Sequence, residues 1–196
     1  MKTKAQKIID NYSGGWLDLR GCDLTGVTLP ATVGGSLYLS GCDLKGVTLP
    51  STVTGSLDLR GCDLKGVTLP STVTGSLELS GCDLKGVTLP STVGGWLDLS
   101  GCNLKGVTLP ATVGGSLDLR GCDLKGVALP SVIFGQPGQM IAYDGEYLLW
   151  RSDAGLYYAG CRIALTREQA LKHWDRTDDR AMLFTLAILS FAWGDK

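Results

Sequence analysis

The sequence predicts a mainly β protein, a parallel β-solenoid of six coils with 20 residues per coil, closed by an N-terminal helix cap and a small C-terminal α+β module. Three observations predict it. A 20-residue unit is copied six times without an insertion, starting at Gly14, Gly34, Thr54, Thr74, Gly94 and Gly114. Apolar and polar residues alternate in short runs inside every copy. The repeat stops after Val132. Periods of this length belong to solenoids, in which each coil buries its apolar face on its neighbours. The chain therefore divides into a cap over residues 1–13, a solenoid over 14–133 and a β-hairpin and two-helix module over 134–196.

An open solenoid end exposes strand edges and core, so a cap is needed there. Thr3 to Tyr12 reads as a short helix with Ala5, Ile8, Ile9 and Tyr12 on one side, suited to cover the first coil.

The coil from Thr54 to Val73 shows how each unit folds. Leu57 and Leu59 flank Asp58, Cys62 and Leu64 flank Asp63, and Val67 and Leu69 flank Thr68. Each trio reads as a short strand with two apolar residues inward and one polar residue outward. Gly61 and Gly66 stand where the chain must turn, Pro70 and Ser71 end the third strand, and Gly55 serves the fourth corner. In-register stacking at ~4.8 Å makes six coils about 29 Å long. The expected inner ladders are the 17-, 19-, 24- and 29-type leucines and the 27-type valines. Each leucine contributes ~1.5–3 kcal/mol, enough for a narrow core without metals or disulfides.

The run from Leu57 to Ser71, L-D-L-R-G, C-D-L-K-G and V-T-L-P-S, resembles the five-residue units of pentapeptide-repeat proteins, four of which make one square coil. Cys62, Asp63, Leu64 and Gly66 match well. Leu57 is larger than that family's small site, and the fourth unit, T-V-T-G-S or T-V-G-G-S, lacks the central leucine. The stretch Leu57 to Leu64, with Leu69 and Pro70, also resembles leucine-rich repeats. Both resemblances cover the six coils and imply a right-handed solenoid; the pentapeptide-like coil is preferred because 20 divides into fives. The uniform copies suit recent duplication or a designed consensus repeat.

After Val132, Gly135 to Gly138 reads as a break. Met140 to Tyr143, Glu146 to Ser152 and Leu156 to Ala164 read as strands joined by turns at Asp144-Gly145 and Asp153 to Gly155. Thr166 with Gln169 forms a capping box that opens a helix through Trp174. Asp178 and Asp179 suit the first turn of a second helix reaching about Trp193. That helix is apolar on nearly all sides, so Leu183, Leu186, Phe191 and Trp193 either fill this module or form a homodimer contact. Tyr157 to Arg162, followed by Ala170 to Trp174, resembles modules that end repeat proteins of phages and prophages, which implies a bacterial host.

The formal charge is −1, from 18 basic and 19 acidic residues, which argues against nucleic acid or an anionic membrane as a direct partner. The segment up to Tyr12 lacks the apolar core of a secretory signal, and the longest apolar run, Ala181 to Trp193, is too short to span a bilayer. With an odd count of seven cysteines, the reduced cytoplasm is the expected compartment.

Six cysteines, Cys22, Cys42, Cys62, Cys82, Cys102 and Cys122, form a structural ladder of small buried hydrophobes. No C-x-x-C spacing points to zinc, and neighbours at ~4.8 Å are wider than the ~3.8 Å Cβ separation of a disulfide. Neither a cofactor nor a metal is expected. Cys161 and His173 match no cysteine-enzyme signature and lack an orienting group. Asp63 and Lys65 belong to a solvated row of alternating charge. The threonine rows Thr28 to Thr108 and Thr32 to Thr112 are separated by prolines, unlike the flat faces of ice-binding solenoids.

The copies differ mainly at the 16-, 18- and 20-type positions. Trp16, Tyr38, Asp58, Arg60, Glu78 and Trp96 are therefore the candidate interaction surface, and a non-enzymatic protein-binding or scaffold role is expected. The resemblance to pentapeptide repeats implies an alternative, a DNA mimic that inhibits a type II topoisomerase. The ten acids and eight bases of residues 14–133 leave a net charge of only −2, small beside duplex DNA at one charge per ~1.7 Å.

Overall fold

The computed structural model describes residues 2–133, 136–143, 148–152, 157–159 and 166–173. The first element is helix α1 (Lys4–Asp10), whose N-cap Thr3 accepts the Gln6 N–H at 3.1 Å. Ala5 is fully buried, and Ile8, Ile9 and Tyr12 pack against the first coil, as the amphipathic pattern predicts.

Each coil contributes two strands of two residues. One set comprises β1 (Leu17–Asp18), β3 (Leu37–Tyr38), β5 (Leu57–Asp58), β7 (Leu77–Glu78), β9 (Leu97–Asp98) and β11 (Leu117–Asp118). The other comprises β2 (Thr32–Val33), β4 (Thr52–Val53), β6 (Thr72–Val73), β8 (Thr92–Val93), β10 (Thr112–Val113) and β12 (Val132–Ile133). Within each set the strands pair in parallel at a register of one coil, Leu37 beside Leu57 and Val53 beside Val73. The protein is thus a parallel β-solenoid of six coils with two long ladders.

The second ladder corrects the sequence reading. The trios around Asp63 and Thr68 were expected as strands, yet they form no ladder, whereas the side without a central leucine does. Hydrogen bonding explains the exchange. The N–H of Cys62 donates to the Leu59 carbonyl at 3.1 Å, and that of Val67 to the Leu64 carbonyl at 3.0 Å. Gly61 and Gly66, at φ +67° and +74°, occupy the third position of these turns, where a type II turn needs a positive φ. The Asp63 carboxylate accepts the Lys65 N–H at 3.0 Å, and Pro70 has no N–H. The N–H groups of Cys62, Lys65 and Val67 are thus spent inside their own coil. The Thr-Val side keeps its own for the next coil and carries β-branched residues that suit an extended chain.

The core runs along the coil axis. The 17-, 19- and 24-type leucines are buried almost throughout, together with the cysteines. The 33-type ladder, Val33, Val53, Val73, Val93, Val113 and Ile133, is equally sealed and was not anticipated. Its inward side is set by the ladder that the sequence reading missed. Gly35, Gly55 and Gly75 mark a close approach between coils: a Cβ on each would lie 2.5 Å from the carbonyl carbon of the glycine one coil earlier.

Beyond β12 the chain reverses at once. Strand β13 (Gln136–Tyr143) pairs antiparallel with β12, Ile133 beside Gln136, and is followed by β14 (Leu148–Ser152) and β15 (Tyr157–Ala159). Of the expected break at Gly135 to Gly138, residues 136–138 belong instead to β13, and the three antiparallel strands extend the second ladder to nine strands. Helix α2 (Arg167–His173) opens with the expected capping box: Thr166 N–H donates to Gln169 Oε1 at 2.9 Å, and Gln169 N–H to Thr166 Oγ1 at 3.3 Å. The expected second helix, with Leu183, Leu186, Phe191 and Trp193, lies outside the described residues. No helix among the described residues is long and apolar enough to cross a membrane.

Candidate functional site

The outer face of the β1–β11 sheet carries the 16-, 18- and 20-type residues side by side. Two structural rules govern it, and Trp16, Tyr38, Glu78 and Trp96 are where those rules change.

At the 18-type position an aspartate accepts the N–H two residues on and so braces the turn. Asp18, Asp58 and Asp118 take the Arg20, Arg60 and Arg120 N–H groups at 3.1 Å, and Asp98 takes that of Ser100 at 2.9 Å. The same brace operates at Asp23, Asp43, Asp63, Asp83, Asn103 and Asp123. Asn103 shows that the job needs an acceptor oxygen, not a charge.

Tyr38 and Glu78 break this rule and make contacts between coils instead. The Arg20 guanidinium lies 5.4 Å from the centre of the Tyr38 ring, a cation–π distance. Arg60 binds Asp58 in its own coil at 2.8 Å and Glu78 in the next at 3.1 Å. Asp58, expected on the open surface, is only 1% exposed: Arg60 binds it, and it lies between Tyr38 and Glu78 in the ladder. Burial pushes the Asp58 carboxyl up, but the Arg60 hydrogen bonds and charge outweigh it and leave the group below the ordinary range. Glu78 goes the other way: its own burial raises it above an ordinary glutamate despite Arg60.

The 16-type position is a serine ladder. Ser36 Oγ accepts the Ser56 N–H, Ser56 Oγ that of Ser76, and Ser76 Oγ that of Trp96, each at 3.1 Å. Trp16 and Trp96 interrupt this row with large apolar side chains that are 68% and 38% exposed. Four coil steps place them ~19 Å apart along the sheet.

The cysteines lie inside, behind the turns. Each thiol from Cys42 to Cys122 donates to the carbonyl of the 19-type leucine one coil earlier, at 3.1–3.2 Å, as Cys62 does to Leu39. Burial pushes Cys62 and Cys102 up to about 11 and raises Cys42, Cys82 and Cys122 as well. These are protonated structural thiols, not nucleophiles. No group of three or more His, Cys, Asp or Glu among the described residues is placed to hold a metal. Cys161 and the His173 side chain lie outside the described residues.

Sequence reasoning found the varied positions but missed the turn brace, although Asp-x-Lys and Asp-x-Arg recur in nearly every coil. The signal was present as an Asx pattern two residues before each glycine's neighbour. Compared with protein-family models, curated proteins and solved structures, the chain gives no match.

Proposed function

We propose that this protein is a non-enzymatic scaffold that binds another protein along the outer face of its β1–β11 sheet. One observation carries the reading: in copies otherwise almost identical, large exposed apolar side chains appear at Trp16 and Trp96 on this face, where serine suffices for the fold in the other four coils. Aromatic anchors flanked by charge are what protein interfaces use for most of their binding energy. The turn repeat every five residues, Leu59 to Cys62 and Leu64 to Val67, supports a pentapeptide-type coil within this reading. A cytoplasmic, phage-associated setting is the accompanying proposal from the resemblance at Tyr157 to Arg162.

Duplex-DNA mimicry is less favoured by the same face. Its acids are engaged: Asp18, Asp58 and Asp118 are paired with arginines, and Asp58 is buried.

The test is capture from bacterial lysate by the whole chain and by a Trp96→Ser, Tyr38→Asp, Glu78→Asp variant, whose new residues already occupy equivalent positions in other coils. A partner retained by the parent and lost by the variant is the expected result. Identical capture by both removes the face as the binding site, and gyrase inhibition by the parent would establish the mimic instead.

A further inference from the structure

We propose that the N-terminal edge of the six-stranded sheet, at β1, is a docking site for an extended peptide that carries alternating apolar and acidic side chains. This edge meets the outer face described above at Trp16, Asp18 and Arg20, but it offers unpaired backbone groups where the face offers side chains. Inside the sheet, the Ser36 and Tyr38 carbonyls accept the Leu17 and Leu19 N–H groups at 2.7 and 2.9 Å. One coil earlier the equivalent carbonyls belong to Trp16 and Asp18. The described residues before them form α1 and its connection, not a coil, and no N–H among the described residues donates to them. An unpaired strand edge of this kind is a template for another strand.

The contrast with the second ladder sharpens the point. There the Tyr12 hydroxyl stands in for the absent coil: it accepts the Gly34 N–H at 3.1 Å and donates to the Gly15 carbonyl at 3.1 Å. The cap therefore meets one backbone group at the second ladder's edge, whereas the β1 edge lies beside a cavity of about 700 Å³ between α1 and β1. Lys4, Ile8, Tyr12, Trp16, Asp18 and Arg20 line it.

The lining states the occupant's chemistry. Two acceptors two residues apart on one strand call for N–H donors at alternate residues of an extended chain, the geometry of β-augmentation. Trp16 and Ile8 offer an apolar wall. Asp18 is already held by both arms of Arg20, at 2.9 and 2.6 Å, and Lys4 acts on the same carboxylate only through its field, so two cations face one carboxylate in the lining. The spare charge in the groove is positive, so it favours an acidic side chain.

The experiment measures binding of acetylated eight-residue peptides to the immobilised whole chain, with valine alternating with aspartate, lysine or serine. The Val-Asp peptide should bind at least tenfold tighter than the Val-Lys peptide, and Lys4→Glu should reverse that preference. N-methylation should abolish binding at one alternate set of amides and be tolerated at the other. Trp16→Ala, at an exposed position, should weaken binding at least tenfold, whereas Trp96→Ser, four coils along the outer face, should not change it. That last result separates this site from the outer face, whose reading can fail while this one stands. No binding by any peptide, equal binding of Val-Asp and Val-Lys, or indifference to N-methylation overturns the proposal; so does blockage of the edge by self-association of the chain.

Discussion

Asp63 shows how little of a repeated charge is about charge. Its side chain accepts the Lys65 N–H and holds the turn before Gly66, and Asn103 does the same for Lys105. Asp63→Ala is therefore expected to destabilise the protein by about 1 kcal/mol in chemical denaturation, and Asp63→Asn to be nearly neutral. Equal losses for the two variants would show that the carboxylate acts through its charge. The cysteines make a second residue-scale prediction. Burial raises the pKa of Cys42, Cys62, Cys82, Cys102 and Cys122 above the ordinary thiol value of 9.0, so these thiols bind their protons more tightly in the folded protein. The thiols' contribution is fully present below about pH 9 and is lost as pH rises through about 11. Alkaline denaturation should steepen in that window, and Ellman's reagent at pH 8 should label the six solenoid thiols only on unfolding. Rapid labelling of the native ladder would contradict the S–H to carbonyl bonds. The varied positions were legible at this scale because near-identical copies make any exception visible. The brace was not, since an Asp that bonds its own backbone and one that faces a partner look alike in a sequence.

At the level of the coil side, two kinds of glycine separate. Gly61 needs its positive φ, and Gly61→Ala should cost about 1–2 kcal/mol of strain in open space. Gly55 has an ordinary backbone, but its missing Cβ is where the preceding coil's backbone lies, 2.5 Å away. Gly55→Ala must push two coils apart and should destabilise more than Gly61→Ala in the same thermal melts; the reverse order would mean that the coils can slide. Tyr12→Phe should leave α1 packed but free the Gly34 N–H, seen as faster hydrogen exchange at Gly34 with Val53 and Val73 still protected. The choice of ladder also belongs to this scale. Alternation marks inward residues equally well on a strand and on a turn-bounded side. Only the hydrogen bonds of Cys62 and Val67, closed within the coil, reveal that those sides cannot pair outward.

Across the whole molecule, each coil touches only its neighbours, so length is adjustable in units of one repeat. Deleting residues 54–73 should leave a folded five-coil protein with a lower melting temperature, because every ladder closes again in register. Deleting 15 residues, though it also preserves a five-residue period, should abolish cooperative unfolding, since it would stack the leucine side on a turn side. A deletion of one coil also draws Trp16 and Trp96 closer by ~4.8 Å, so a partner that grips both should bind more weakly while the fold survives. The linear pattern of residues is sufficient to set the number of coils, their length, the capping helix and most of the core, because copying and alternation are properties of the chain alone. The folded coil decides which two sides become ladders, which acids are spent on turns, why Asp58 is sealed under Arg60 and which sheet edge Tyr12 leaves open. Those outcomes depend on where backbone hydrogen-bonding groups find partners one coil away, and such partners exist only after the chain has closed on itself.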